Sequence, residues 1–324
     1  MREYIIKRLL QMIPTILVIT LVVFAMMQAI PGDPIISLLG DAYDEEDATR
    51  LRQEYGLDKP IIVQYGIWLW KLVQGDWGRA IINGRPVLQD VLAHLPVTIE
   101  LIVLAMVVAL VIAIPAGIIA ALRQNTWGDY TAMSTALVGI SIPDFFLGIL
   151  LILVFSVAFQ GLLPSSGWVY WPGTCSTITC KSDVWGNLQH AFMPAIALGV
   201  GRAAILTRLL RASMLEIVRM EYVTTARAKG LAERFVVLKH ALKNALIPTV
   251  TIMGLQVGFL IGGAIVVETL FAIPGLGTFG INAIIAREYP QVQGFILLVA
   301  ISFVIINFLV DLVYAFLDPR IRYS

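Results

Sequence analysis

The sequence predicts an all-α integral membrane protein with six transmembrane helices and a helical external segment after the first. Three observations lead there. Hydrophobic residues make up 58% of the 324 positions and charged residues only 14%, against about 45–50% and about 25% in soluble domains. Six stretches, at residues 9–30, 97–122, 132–159, 191–214, 246–271 and 292–317, supply the roughly 20 apolar residues that a bilayer core needs. The basic residues, finally, are divided unevenly between the connections, which sets an orientation. A net charge of +1 and two cysteines fit neither a nucleic-acid-binding protein, nor a disordered chain, nor a disulfide-rich secreted scaffold.

The first span follows Arg2 and the Lys7, Arg8 pair. That start is like a cleaved leader, but the apolar run is too long and no Ala-x-Ala site follows, so it reads as a retained anchor. Residues 31–96 are then external. Asp44, Glu45, Glu46 and Asp47 open a polar helix, since carboxylates favour the positive end of a helix dipole. Gly56 offers a stop and Pro60 a restart at a first helical position. The run from Ile61 to Val73 carries Trp68 and Trp70, side chains suited to a membrane surface. The segment reads either as a folded cap or as a docking surface for a partner.

Pro143 interrupts the third span. The external loop at 160–190 holds Cys175 and Cys180, the only two cysteines, placed where a disulfide closing a small ring is permitted. The fourth span is the weakest, because Arg202 and Arg208 break its apolar run. In the fifth, Gly254, Gly258, Gly262 and Gly263 form a ridge of small residues, which permits close helix approach within the chain or between subunits. The stretch GLGTFG from Gly275 to Gly280 satisfies Gly-x-Gly-x-x-Gly. A dinucleotide site would need a preceding strand, and a membrane helix precedes it here, so it reads as a tight re-entrant turn where backbones approach closely.

One side of the membrane receives Arg2, Lys7, Arg8, Arg123, Arg320 and Arg322 with nine basic residues from Arg202 to Lys243, fifteen of the 23. Six of the other eight lie at 31–96 among ten acidic residues. Both termini and the loop at 214–245 are therefore expected in the cytoplasm. Charges within the spans are functional candidates by default. Asp144 falls about 18 Å from the cytoplasmic end of its span and Arg202 at a depth of about 16 Å in a span that runs the other way, and Arg208 and Asp311 both fall about 8–9 Å from the cytoplasmic ends of theirs. These depths allow two ion pairs, Asp144–Arg202 and Arg208–Asp311, and leave open whether Asp144 lines a solute path instead. Glu268, near the outer end of the fifth span, is a candidate gate.

The chain has no Gly-x4-Gly-Lys-Ser/Thr phosphate loop, no His-Glu-x-x-His and no Gly-x-Ser-x-Gly, which argues against an ATP site or hydrolase centre of its own. His94, His190 and His240 fall in three different segments, so a histidine metal cluster is not expected. The loop at 214–245 is more informative. A short helix ends near Gly230, where a left-handed C-cap suits glycine, and a second feeds the fifth span. Phe235, Leu238, Leu242 and Ala245 give that second helix an apolar stripe at helical spacing.

These residues carry a resemblance. EYVTTARAKGL from Glu221 to Leu231, followed by HALKNALIP from His240 to Pro248, resembles the cytoplasmic signature of binding-protein-dependent ABC importer permeases. It is most similar to the dipeptide/oligopeptide branch, which includes nickel and glutathione systems. AIPGDP at Ala29–Pro34, GLDKP at Gly56–Pro60, GDWG at Gly75–Gly78, PGLG at Pro274–Gly277 and DPR at Asp318–Arg320 extend the resemblance over nearly the whole chain. Where the family's general form begins Glu-Ala-Ala, this chain has Thr224, Thr225 and Ala226.

The resemblance implies a type I importer transmembrane domain. Residues 1–96 would form the first span and external segment, and residues 97–324 a five-helix permease core. It implies a second permease subunit, two ATPase subunits that hold the ATP and magnesium, and an extracytoplasmic binding protein, in a bacterial inner membrane. Glu221, Tyr222, Ala226, Arg227, Lys229, Gly230 and Leu231 would then be the ATPase-coupling residues, and no cofactor would belong to this chain. Asp144 would lie on the substrate path, where peptide termini need polar handles, or would simply pair with Arg202. An ion-coupled secondary transporter is the alternative of another class, but no convincing internal repeat is visible.

Overall fold

The computed structural model describes residues 2–29, 44–46, 49–50, 58–171 and 182–317. Its helices are α1 (Arg2–Ala29), α2 (Ile61–Val73), α3 (Val87–Leu122), α4 (Trp127–Ser141), α5 (Asp144–Ala158), α6 (Val184–Ile217), α7 (Glu221–Ala228), α8 (Glu233–Leu270), α9 (Leu276–Ile285) and α10 (Tyr289–Leu317). Five described helices are long and apolar enough to cross a bilayer, and a sixth results if α4 and α5 count as one bent span. Cys175 and Cys180, most of the expected acidic helix and the Asp318–Arg320 motif lie outside the described residues.

The third span is where expectation and structure part. It is not one helix: α4 and α5 meet at 100°. Pro143 has no N–H to continue the ladder and disfavours the helical region at its predecessor. Ile142 accordingly sits at φ −84°, ψ 121°, and Asp144 becomes the first residue of the next helix. The second half of α5, Ile152–Ala158, is wound as a π-helix.

Two compact units divide the described residues, one from Met1–Ile5, Val97–Thr278 and Ile305–Ser324, the other from Ile6–Pro96 and Phe279–Val304. In the second unit α2 lies against α1. Phe24 meets Tyr65 edge-on at 5.5 Å and tilts over Trp68 at 5.7 Å, and the Thr20 and Tyr65 hydroxyls are 2.9 Å apart. After α2 the chain turns through Gly75 and Gly78, at φ +84° and +86°. Arg79 then bridges to Pro86. The turn between them is clamped by Glu288, whose two carboxylate oxygens each accept a backbone N–H, from Ile81 and Ile82, at 2.7 Å.

In the first unit α6 is the central helix, packed against α4, α5 and α8. Its N-cap, Asp183, accepts a hydrogen bond from the Gly186 N–H at 2.7 Å, as short acidic side chains do at helix starts. Where α3 crosses α6, a Cβ on Gly199 would lie 2.7 Å from the Ala105 carbonyl oxygen, so the two backbones touch. The fifth span begins earlier than its apolar run, because the helix starting at Glu233 continues into the membrane segment without a stop. Within it, Val236–Ala241 is π-helical.

Candidate functional site

The segment between α6 and α8 is built from local signals. Met220 is extended, at ψ 147°, and α7 starts behind it with Glu221 in its first turn. The helix stops at Lys229, and Gly230 takes φ +74°, a backbone conformation that costs a residue with a Cβ about 1–2 kcal/mol. Val223 and Ala226 are buried against Val236 and Ile217. Ala226 therefore faces inward, a correction to its expected place on the coupling surface. The reason is spacing: Val223 and Ala226, three apart, make the one inward stripe an eight-residue helix has room for.

The outer face is left with Glu221, Tyr222, Thr224, Thr225 and Arg227. Arg227 is engaged within the chain, its Nη2 and Nε donating to the Glu233 carboxylate at 2.7 and 3.1 Å. That hydrogen bonding raises the Arg227 pKa above its ordinary value. The Tyr222 hydroxyl accepts from Asn244 Nδ2 at 2.7 Å. Lys229, Gly230 and Leu231 are exposed.

The apolar stripe on the following helix departs from the expected one at its start. Val236, Val237, Ala241 and Ala245 are buried, while Phe235 and Leu238 are exposed. A π-turn adds a residue per turn, so Val236 to Ala241 is one turn and the inward face is rotated. Phe235, Leu238, Leu231 and Met220 consequently form exposed apolar surface, with Lys239 Nζ 4.8 Å from the Phe235 ring centroid. Apolar surface edged by cations is the composition of a docking site.

Behind this surface lies an ion pair that sequence reasoning missed. Arg211 Nε and Nη2 donate to the two oxygens of Asp129 at 2.6 and 2.7 Å, and the Asn125 N–H adds a third bond at 3.0 Å. Asp129 is 3% exposed. Arg219 reaches the same turn through Gln124, at 3.2 Å. The α3–α4 turn is thus braced to the end of α6, next to α7. Leu210 and Met214 of α6 complete the brace by packing with Ala121, Val237, Ala241 and Ala245. The local sequence around Asp129, three residues after Thr126 at the start of α4, carries no signal of its partner.

The charges within the spans fall into different arrangements. Arg202 Nη1 donates to both oxygens of Asp144, at 2.8 and 3.0 Å. Arg208 is exposed, and no ion pair joins it to Asp311 among the described residues. The helical phase of α6 turns Arg202 inward and Arg208 outward. Glu268 is fully buried. Its carboxylate accepts from Thr98 Oγ1 at 2.6 Å and from the backbone N–H groups of Gly277 and Thr278 at 2.7 and 3.2 Å. Thr98 Oγ1 in turn accepts from the Leu276 N–H at 2.8 Å. A carboxylate so enclosed is a staple rather than an exposed gate.

The glycine-rich stretch supplies the room. A Cβ on Gly275 would meet the Glu268 carboxyl at 2.4 Å, and one on Gly277 the Ile265 Cα at 2.6 Å. The turn is sharp as expected, but α9 begins within it at Leu276. Of the small-residue ridge, Gly254 packs inside the chain, where a Cβ would meet Val310, and Gly262 faces open space. Among the described residues no group of three or more His, Cys, Asp or Glu is placed to hold a metal ion.

Comparison with known proteins adds an independent line. The family model described as "Binding-protein-dependent transport system inner membrane component" matches residues 113–323. A companion model for the N-terminal part of these membrane components matches residues 1–102. The dipeptide transport system permease protein of Alkalihalophilus pseudofirmus is 40% identical over 338 residues, covering 100% of both chains. The glutathione transport system permease proteins of Escherichia coli K12 and of Shigella dysenteriae serotype 1 are each 42% identical over 324 residues, again covering 100% of both chains.

Proposed function

The chain belongs to the family of binding-protein-dependent transport system inner membrane components, and from that premise we propose that it forms the translocation path for di- or oligopeptides, glutathione among them. The family membership makes it a multi-pass permease subunit of an ABC import system. The peptide class is supported by the names of relatives that match it end to end. In the proposed complex it stands beside a second, similar permease, above two ATPase subunits that hold ATP and magnesium, and receives solute from an external binding protein. The excess of basic residues on one side supports cytoplasmic termini and a cytoplasmic α7.

The observation that carries the coupling role is α7 itself. A helix of eight residues is pinned to α8 by Val223 and Ala226, stopped by Gly230, and faces outward with Glu221, Tyr222 and Thr225. Docked in a cleft of an ATPase subunit, it passes nucleotide-driven closure through the Asp129–Arg211 brace and the packed ends of α3, α6 and α8. The chain needs no ATP site for this.

The test is uptake into proteoliposomes carrying the complete complex, with loaded binding protein outside and ATP inside. Uptake of trialanine or glutathione that requires ATP and survives ionophores is expected. Uptake that ignores ATP and collapses with an ionophore would instead make the chain an ion-coupled carrier. Uptake of nickel alone would place it in the nickel branch.

A further inference from the structure

Two arginines of α6 hold carboxylates in different ways. Arg211 meets Asp129 with Nε and Nη2 together, one nitrogen per oxygen, the fork-to-fork geometry that uses a guanidinium fully. Arg202 meets Asp144 with Nη1 alone, which donates to both oxygens. Its Nε is buried and has no hydrogen-bond partner. A buried donor without a partner is destabilising, and the Asp144 arrangement leaves this guanidinium short of an acceptor.

Glycines stand against the rest of the pair. A Cβ on Gly263 would come within 3.3 Å of Arg202 Nη2, and one on Gly201 within 3.4 Å of Asp144 Oδ1. Neither charge is sealed, with 17% of the Arg202 side chain and 22% of the Asp144 side chain exposed. Arg202 lies about 27 Å from the start of α6 and about 23 Å from its end at 1.5 Å per residue, near the middle of a helix long enough to span a bilayer. Asp144 stands at the break where the third span bends by 100°. Broken helices near the middle of the membrane are where transported solutes find polar groups.

We propose that Arg202 and Asp144 form a mid-membrane binding step for the solute: its carboxylate takes the part-exposed guanidinium of Arg202, and its ammonium group takes Asp144. Asp144 is then a resident counter-ion that keeps Arg202 charged and oriented between solutes, and the site selects zwitterions. The proposal rests on the reading of the solute as a peptide.

The complete complex in proteoliposomes tests it, with saturating, separately loaded binding protein so that capture is held constant. The probes are trialanine, its C-terminal amide, and glutathione. The wild-type complex is expected to transport trialanine at least tenfold faster than the amide. In the exchanged pair Asp144→Arg with Arg202→Asp, opposite charges still face each other, so assembly persists but uptake of trialanine falls at least tenfold. The neutral pair Asp144→Asn with Arg202→Gln, which leaves no unpaired charge, is expected to transport acid and amide at equal rates. An exchanged or neutral pair with wild-type uptake and a wild-type acid-to-amide ratio would make the pair a packing contact and overturn the proposal. A wild-type complex that takes up neither trialanine nor glutathione would overturn the substrate class, and the proposal with it.

Discussion

Glu268 separates a structural carboxylate from a gating one, and two substitutions decide between them. Glu268→Ala removes the acceptor for the Gly277 and Thr278 N–H groups and for the Thr98 hydroxyl. The hydroxyl can rotate to a carbonyl of its own helix; the two amides cannot. At about 1–3 kcal/mol for each unmade donor, the loss is about 2–6 kcal/mol. With about 1.5 °C per kcal/mol for a chain of 324 residues, the unfolding temperature should fall by at least about 3 °C. Glu268→Gln keeps one oxygen to accept the two amides, and its NH2 group can donate to Thr98 Oγ1. It should therefore unfold within about 2 °C of the wild type on the same scale and retain transport. The assay is thermal unfolding of the purified complex followed by tryptophan fluorescence, with uptake measured alongside. A Gln variant that unfolds at the wild-type temperature yet does not transport would mean that the charge itself is used. An Ala variant with unchanged unfolding would refute the staple.

Three other outcomes follow from the same geometry. In Gly254→Ala the new Cβ would stand 2.1 Å from Val310 Cγ2, an overpacking that costs about 1–3 kcal/mol; the double variant with Val310→Ala should recover most of the lost unfolding temperature, and Gly262→Ala, which meets nothing in the chain, should leave it unchanged. Gly230→Val should uncouple ATP hydrolysis from loaded binding protein, whereas Gly230→Asn should keep most of the coupling because asparagine tolerates positive φ; equal activity of the two would show that the backbone conformation is irrelevant. Asp129→Ala leaves Arg211, a quarter exposed, without its carboxylate, a loss of about 1.5–3 kcal/mol for charge-assisted hydrogen bonds, and should lower the uptake obtained per ATP; if the exchange Asp129→Arg with Arg211→Asp restored neither stability nor that ratio, the pair would not be a brace.

The division between what the chain shows unfolded and what it shows folded follows the range of the interactions. Apolar runs, the Pro143 interruption and the Gly230 stop are legible because each depends on neighbours within one or two turns. Pro143 disfavours helix at Ile142, but Pro14, Pro194 and Pro248 lie inside continuous helices, so the break and its angle also depend on what α4 and α5 pack against. In the stripe from Phe235 to Ala245, Leu242 and Ala245 pack inward as their spacing predicts, while Phe235 and Leu238 are exposed because an α-helical period does not hold across the π-turn. The π-turn at Val236–Ala241 accompanies the burial of Val236 beneath Val223 and Ala226, a contact that exists only once α7 has folded back.

The polar sites divide in the same way. Asp144 and Arg202 drew attention as charges in apolar runs, and simple helix arithmetic put them at matching depths. The same arithmetic paired Arg208 with Asp311, because depth says nothing about which way a side chain faces. Asp129 and Arg211, 82 residues apart, stand at the ends of apolar runs where charges are ordinary, so nothing in their local sequence marks them as partners. Glu288 looked like any loop carboxylate until it was found holding the Ile81 and Ile82 N–H groups. Composition and periodicity are enough to place this chain in a bilayer and mark its coupling segment. Which charges meet, and which face of each helix is left to a partner, is decided by rotations of the helices about their axes, which only packing can set.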